Sequence, residues 1–409
     1  MALLLVKELT DEAKKGLFFG LVNTGYTTGV SLGAIIAGAL EPAVGWRAVF
    51  WLQIPLTLGA ATVALFAIPK FDQISSKLEQ DSSMGEKLSR IDYFGILTLI
   101  SSVVLLLYSL SSPKILVTPI VLSALMQTLF IFVELKWAVE PIIPYAVLRS
   151  KGNILTGLAT IGVMSARWGI LFYAPVYALA VRGWSQAEAG LMLLPTNTGF
   201  ALGGIIVGWL HISKGGAFYV SSLVTYALFS LSLVAVSQIA TPSSNIWVFI
   251  LALFVNGMLT GALLNYTLVH VLYLTLPATH VIVLPLNAMF RSLSGSFGSS
   301  IFGGIFLRTL RGRLREDFKD AGLHGKGKLI DRLVGTPTLV STLNGIEKEI
   351  ALDGYVAALK AIFVAGAVLA LFMALVQAFT GWTAPTNEKG DDVLTNAALS
   401  PTVSRDSNI

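Results

Sequence analysis

The chain has 409 residues, of which 55% are hydrophobic and only 12% are charged, with a formal net charge of +5. A soluble protein has about 25% charged residues, so this chain has too little polar surface to cover several water-facing cores. Intrinsic disorder is excluded as well, because disordered chains are poor in apolar residues and rich in charge. We therefore expect the polypeptide to fold in a lipid bilayer.

Long apolar runs occur along most of the chain. A helix needs about 20 apolar residues to cross the hydrocarbon core of a bilayer, and this criterion predicts ten spans. Backbone groups cannot be left unpaired in hydrocarbon, and the alternation typical of a barrel is missing. The sequence thus predicts an all-α polytopic membrane protein. The predicted spans are 16–40, 46–69, 93–111, 115–137, 153–180, 186–211, 217–239, 246–276, 280–307 and 355–381.

The first predicted span carries small residues at every fourth position, namely Gly25, Gly29, Gly33 and Ala37. On a helix they form one groove that lets another backbone approach closely. Taken alone, the groove indicates either ordinary helix packing or a specialised motif. The run from Gly29 to Gly38 resembles the GxxxGPxxGG antiporter motif of the major facilitator superfamily. This resemblance assigns a packing role to Gly25, Gly29, Gly33 and Gly38.

Further runs extend the resemblance in chain order. GWRAVFWLQIP at 45–55 is similar to the run that opens the next helix in fungal fourteen-span drug:proton antiporters. RGWSQAEAGLMLLP at 182–195 and RSLSGSFG at 291–298 resemble later helices of that branch. Within the branch, SARW at 165–168 and PTNTGF at 195–200 look closest to fungal vacuolar basic amino acid transporters.

The resemblance implies a partial major facilitator fold. Fourteen-span proteins have four helices before the first one found here, so this chain supplies what look like their fifth to fourteenth helices. We expect five segments on this basis: a remnant of the N-terminal helical half at 1–69 with two helices, a cytosolic linker at 70–92, a central extra helix pair at 93–137, a C-terminal six-helix half at 138–382 with a long loop at 308–354, and a disordered tail at 383–409.

The implied function is secondary active transport of small solutes, coupled to protons. Basic amino acids of the vacuole are the first substrate class, and multidrug efflux is the alternative. A third possibility is a truncated, non-transporting membrane protein that associates with itself or with a full-length carrier. The expected location is a multi-pass position in the vacuolar or plasma membrane, with the lipid bilayer, a small-molecule substrate and protons as partners.

Ionisable groups at membrane depth are the first site candidates, since each is costly unless it is paired or hydrated. Arg167 and Arg291 lie well inside their predicted spans. They would contact an anionic group in a polar cavity, or else lock neighbouring helices. Polar side chains within spans are further candidates for the substrate path, with interhelical hydrogen bonding as the alternative. These are Asn23, Gln53, Asn197, Asn265, Tyr266 and Asn287.

Several chemistries have no support in the sequence. There is no cysteine, so disulfides, thiol catalysis and cysteine-ligated metals are excluded. The four histidines are scattered, and we expect no metal site. The run GLHGKGK at 322–328 has phosphate-loop spacing, but Leu329 stands where that motif requires Ser or Thr. We predict no cofactor, no nucleic-acid partner and no enzymatic activity.

Overall fold

The computed structural model describes residues 10, 12–67, 92–137, 150–212, 218–275, 280–323 and 325–381. Within these ranges the chain is helical and contains no β-strand, which confirms the all-α prediction. Residues 70–91 of the linker predicted at 70–92 lie outside the described residues, as does the whole predicted tail at 383–409. The helices are α1 (Glu12–Val44), α2 (Trp46–Ala67), α3 (Tyr93–Ser111), α4 (Val117–Lys136), α5 (Lys151–Val176), α6 (Gln186–Leu191), α7 (Leu193–Leu210), α8 (Tyr219–Ile239), α9 (Ile246–Leu274), α10 (His280–Asp320), α11 (Gly327–Gly335) and α12 (Gly345–Ala378). A π-helical turn, Tyr177–Val181, follows α5, and a 3-10 turn, Pro337–Thr342, follows α11.

In the described part of the chain, nine helical segments are long and apolar enough to cross a membrane. The tenth predicted span, 280–307, forms the first part of α10 but is less apolar than the others. Its glycines, serines and Arg291 lower the average. Because α10 packs against α5, α12 and α3, neighbouring helices cover part of its surface, and a more polar sequence is compatible with that position.

Helix α5 lies at the centre of the bundle and is the most buried of these spans, with 72% of its most apolar window buried. It packs against α10 and α12. At the periphery, α2 has no buried residue, and its main neighbour is α1. The pair α3 and α4 is joined by polar contacts, in which Ser123 donates to the backbone oxygen of Ser102 and the Ser102 hydroxyl donates to Gln127. The pair packs against α10 through α3.

The segment predicted as a long loop at 308–354 is largely helical, which corrects the sequence analysis. Helix α10 continues to Asp320 and α12 begins at Gly345, with α11 between them. Leu310, Leu314 and Phe318 are buried at four-residue spacing, and they belong to one core with residues of α11 and α12. An average over hydropathy misses such a segment because its apolar residues occupy one stripe of an otherwise polar helix.

Helices α7 and α9 cross closely through four glycines, which we call the glycine seam: Gly199, Gly203, Gly257 and Gly261. A Cβ atom on Gly257 would lie 1.9 Å from the backbone oxygen of Thr196, and one on Gly261 would lie 2.0 Å from that of Phe200. Gly199 and Gly203 meet the α9 backbone in the same way. Only glycine permits this approach, which is typical of small-xxx-small pairs in membranes.

The glycines of α1 behave differently from those of the seam. A Cβ atom on Gly38 would lie 2.7 Å from the backbone oxygen of Gln186 on α6, so this glycine does allow a close approach. Gly25, Gly29 and Gly33 are exposed, and a Cβ atom on any of them meets nothing within 4 Å among the described residues. The groove expected along α1 therefore contacts no helix of the described structure at these three positions.

We predict that Gly257→Ala lowers the thermal unfolding temperature of the purified protein strongly, because overpacking of a tight contact costs about 1–3 kcal/mol. Gly29→Ala is the matched control, since it adds the same methyl group to a helical glycine with open space around it. We expect the control to change the unfolding temperature little. Equal losses in the two variants would contradict the assignment of the close crossing to α7 and α9.

Candidate functional site

Helix α1 turns a polar stripe toward the interior of the bundle. Asn23, Thr27 and Ser31 recur every four residues and are all buried, while Leu21 and Leu32 are exposed. This is the reverse of a helix in a water-soluble protein, where the apolar face is the buried one. Helix α1 packs against α7, α6, α2 and, more lightly, α9, and its buried stripe brings hydrogen-bonding groups into the interior of the molecule.

Arg167 of α5 is 2% exposed and reaches toward α7. Its Nη2 donates to Oδ1 of Asn197 at 2.6 Å, and Nδ2 of Asn197 donates to Oγ of Ser31 at 2.8 Å. One chain of hydrogen bonds thus links α5, α7 and α1. The second terminal nitrogen of Arg167, Nη1, is buried without a hydrogen-bond partner in the part of the chain that the structure describes.

Arg291 of α10 reaches the same region from the other side. Its Nη1 donates to Oδ1 of Asn23, and its guanidinium carbon lies 5.1 Å from the centre of the Tyr26 ring. The Phe200 ring is shared by the two arginines, because its centre lies 4.2 Å from the guanidinium carbon of Arg167 and 5.7 Å from that of Arg291. Such cation–π contacts stabilise a cation that has lost its water.

A cavity of about 200 Å³ opens beside Arg291, between α1, α5, α9 and α10. This volume is below the range of pockets for drug-sized ligands, about 300–1,000 Å³, and suits a smaller molecule. Its polar groups converge from three helices, while Val22, Leu264 and Leu268 supply apolar wall. The polar lining residues are Asn23, Tyr26, Thr160, Asn287, Arg291 and Ser292.

Five of the eight predicted path residues come together here. Asn23, Asn287 and Arg291 line the cavity, and Arg167 and Asn197 lie next to it through the contacts described above. The remaining three lie elsewhere. Asn265 donates to the backbone oxygen of Gly204, Tyr266 shares a 2.7 Å hydrogen bond with His211, and Gln53 is exposed on α2.

Sequence reasoning missed three polar residues of the cavity wall, Tyr26, Thr160 and Ser292. It also missed Ser31, which accepts a hydrogen bond from Asn197, and Phe200, which contacts both arginines. Phe200 follows Asn197 by three residues and therefore shares its helix face, which is a signal that was available. Ser31 follows Asn23 by eight residues, which also places the two on one face of a helix. These two spacings point to a shared site only when the helix that packs against the face in question is known.

The electrostatic character of the cluster is cationic. Two guanidinium groups share one aromatic ring, and in the described ranges no carboxylate forms a salt bridge with either of them. Arginine binds carboxylates through paired, charge-assisted hydrogen bonds, and an intramembrane charge normally has a partner. The arrangement is therefore chemically suited to bind a small anion. Among the described residues, no group of three or more metal-ligating side chains occurs.

Several fungal transporters are similar to this chain. The vacuolar basic amino acid transporter 1 of Saccharomyces cerevisiae is 28% identical over 212 residues, which cover 50% of this chain and 36% of that protein. The MFS transporter L2 of a Phoma species is 25% identical over 88% of this chain and 60% of its own length. The vacuolar basic amino acid transporter 2 of S. cerevisiae is 24% identical over 86% of this chain and 77% of its own length. This chain thus spans less than two thirds of the length of the first two relatives.

A solved structure of a bacterial homologue of the human lysosomal transporter Spinster, inward-facing and occupied, is 14% identical with a TM-score of 0.47. The alignment covers 94% of this chain and 93% of that one. Residues 1–299, most of the chain, match the family described as the Major Facilitator Superfamily. The chain is therefore an integral membrane protein of the Major Facilitator Superfamily, a family of transporters and not of enzymes.

Proposed function

We propose that this chain carries the substrate-binding region of a secondary active transporter whose substrate is a small solute with a carboxylate group. The observation that carries this proposal is the pair Arg167 and Arg291, which share the Phe200 ring beside a cavity of about 200 Å³. Superfamily transporters bind substrate near the bilayer midplane, between their helical repeats.

Basic amino acids are the substrate class we favour. Two of the relatives are named vacuolar basic amino acid transporters. The cationic end of such a substrate is repelled by Arg291 in the cavity wall and by Arg167 next to it, which argues against binding by the side chain alone. The α-carboxylate meets no such objection. It would bind Arg291, and the ammonium end would lie near neutral oxygens such as that of Asn287 in the same cavity.

We also propose proton-coupled exchange, which the resemblance to fourteen-span drug:proton antiporters implies, and a location at the vacuolar membrane, for which the two relatives are named. Multidrug efflux at the plasma membrane is the second candidate. It is supported by the apolar cavity wall of Val22, Leu264 and Leu268 and by similarity to relatives that are named MFS-type efflux pumps or transporters. Association with a second copy or with a full-length carrier stays a prediction. It is supported by the absence of buried residues on α2, and the mass of the detergent-solubilised complex would test it.

We predict that Arg291→Gln raises the KM for uptake of radiolabelled lysine by energised vacuolar vesicles about 10- to 100-fold. The reason is that a hydrogen bond to a charged group contributes about 1.5–3 kcal/mol. Arg313→Gln on the outer part of the same helix is the matched control, because it removes the same charge outside the cavity. Its KM should equal that of the unaltered protein.

The unfolding temperature of each variant shows whether a raised KM comes from a loss of folding. Arg291→Lys is a further variant, which keeps the positive charge at this position. A folded Arg291→Gln protein with unaltered KM would refute the carboxylate site. Vesicles that take up lysine equally with and without the unaltered protein would refute basic amino acid transport, and drug sensitivity on deletion would then favour efflux.

A second prediction concerns the substrate's own carboxylate. Cadaverine is lysine without this group, so it should compete with lysine for the unaltered protein at least about tenfold more weakly than unlabelled lysine does. In Arg291→Gln we expect this difference to shrink, because the binding partner of the carboxylate is gone. Equal competition by cadaverine and lysine in the unaltered protein would show that the carboxylate is not recognised.

A third prediction concerns coupling. A protonophore that dissipates the pH gradient should abolish accumulation of lysine against its concentration gradient, while equilibration down the gradient continues. Accumulation that persists without a proton gradient would exclude proton exchange. This result would not contradict the carboxylate site, because that site is tested separately by the KM measurements.

A further inference from the structure

A row of basic side chains follows the outer part of α10, beyond the part predicted to span the membrane. At 3.6 residues per turn, Arg308, Arg311, Arg315 and Lys319 fall on one face of the helix. The acidic residues of this part and Arg313 point to other sides. Burial raises the pKa of Asp317, and the positive charge of the nearby Arg313 opposes that rise. This agrees with a position of Arg313 and Asp317 on the same side of the helix, away from the row of basic side chains.

The basic face lines a second cavity, of about 320 Å³. Three arginines contribute to its wall, namely Arg308, Arg311 and Arg315, and none of the described residues that line it is acidic. The rest of the wall is mainly apolar, with Pro113 from the turn between α3 and α4, Leu307 from α10 and Val334 from α11. The cavity thus joins a positive side to an apolar side.

The contacts of Arg308 indicate where this cavity lies relative to the membrane surface. Its Nη1 donates to the backbone oxygens of Leu110 and Ser112 at 3.0 and 3.1 Å, which lie where the apolar helix α3 ends. Gly304 makes this approach possible, since a Cβ atom there would lie 1.9 Å from the Leu110 oxygen. Arg308 is therefore at the edge of the hydrocarbon region.

Arg311 and Arg315 lie farther out along the helix, by about 4.5 Å and about 10 Å. The polar layer of a bilayer is about 5–7 Å thick on each side. Arg311 is thus at the depth of lipid headgroups, and Arg315 is at the boundary with water.

The positive charge of the cavity is only partly compensated. Arg311 forms a 2.7 Å salt bridge with Asp331, in which both side chains are partly exposed. The two carbonyl groups that bind Arg308 are neutral, so its charge remains. Among the described residues, Arg315 forms no salt bridge with a carboxylate. A ligand in this cavity would face a net positive charge.

We propose that this cavity binds a phosphate group, supplied either by the headgroup of an anionic lipid or by soluble phosphate. Guanidinium groups match the geometry of phosphate oxygens, and basic pockets at the membrane boundary are suited to lipid headgroups. The apolar wall formed by Pro113, Leu307 and Val334 would accommodate the uncharged part of a lipid. The site is distinct from the inner cavity and does not depend on the transported substrate.

The test measures the unfolding temperature of the purified chain in phosphatidylcholine nanodiscs. Phosphatidic acid is added to the bilayer in one arm, and inorganic phosphate is added to the buffer in the other, with ionic strength held constant by chloride. We compare the unaltered protein with Arg315→Gln, which breaks no salt bridge of the described structure. Arg313→Gln is the matched control on another face of the same helix.

We expect stabilisation of the unaltered protein and of Arg313→Gln, with about fivefold weaker apparent binding in Arg315→Gln. Stabilisation by phosphatidic acid alone identifies a lipid headgroup site, and stabilisation by inorganic phosphate alone identifies a soluble ligand. Stabilisation by neither, or equal stabilisation of the unaltered protein and the two variants, overturns the proposal. Because each variant is compared with its own ligand-free state, a general loss of stability does not affect the result.

Discussion

Close contact between backbones is the constraint on which the interior of this protein depends. In a bilayer, helices gain little from the hydrophobic effect when they associate, because lipid tails are as apolar as their side chains. Van der Waals packing must hold them together, and the glycine seam between α7 and α9 supplies it. Gly261 lies against the backbone oxygen of Phe200, so the seam also fixes the position of the ring that the two arginines share.

Several modest interactions together offset the free-energy cost of burying two arginine side chains in the membrane interior. Asn197 and Asn23 accept hydrogen bonds from them, and the rings of Phe200 and Tyr26 replace part of the lost water. These groups are neutral, so the two charges are solvated but not cancelled. A ligand with one negative charge would complete this site, whereas a cation alone would meet repulsion from both arginines.

The sequence predicts the spans well, because hydropathy is read along one helix at a time. It also identifies Arg167 and Arg291, since a charge inside an apolar run is conspicuous without a structure. The glycine seam escaped prediction because its members belong to two helices separated by more than fifty residues, while Gly25, Gly29 and Gly33 are obvious within one. Gln53 is a different case: it is polar and lies within a span, and it is exposed on α2 away from the arginines in the described structure, so its place on the substrate path stays a prediction.

Helix α10 carries both proposed anion sites, and their environments predict different physical behaviour. Arg291 and Arg311 are about 30 Å apart along one continuous helix. Arg291 lies among neighbouring helices, where salt screens charges weakly, whereas Arg315 is exposed to a medium in which the screening length is about 8 Å at physiological ionic strength. Binding at the outer cavity should therefore weaken as salt is raised. The inner site, which depends on fixed hydrogen-bond geometry, should be far less sensitive, so ionic strength separates the two sites without any substitution.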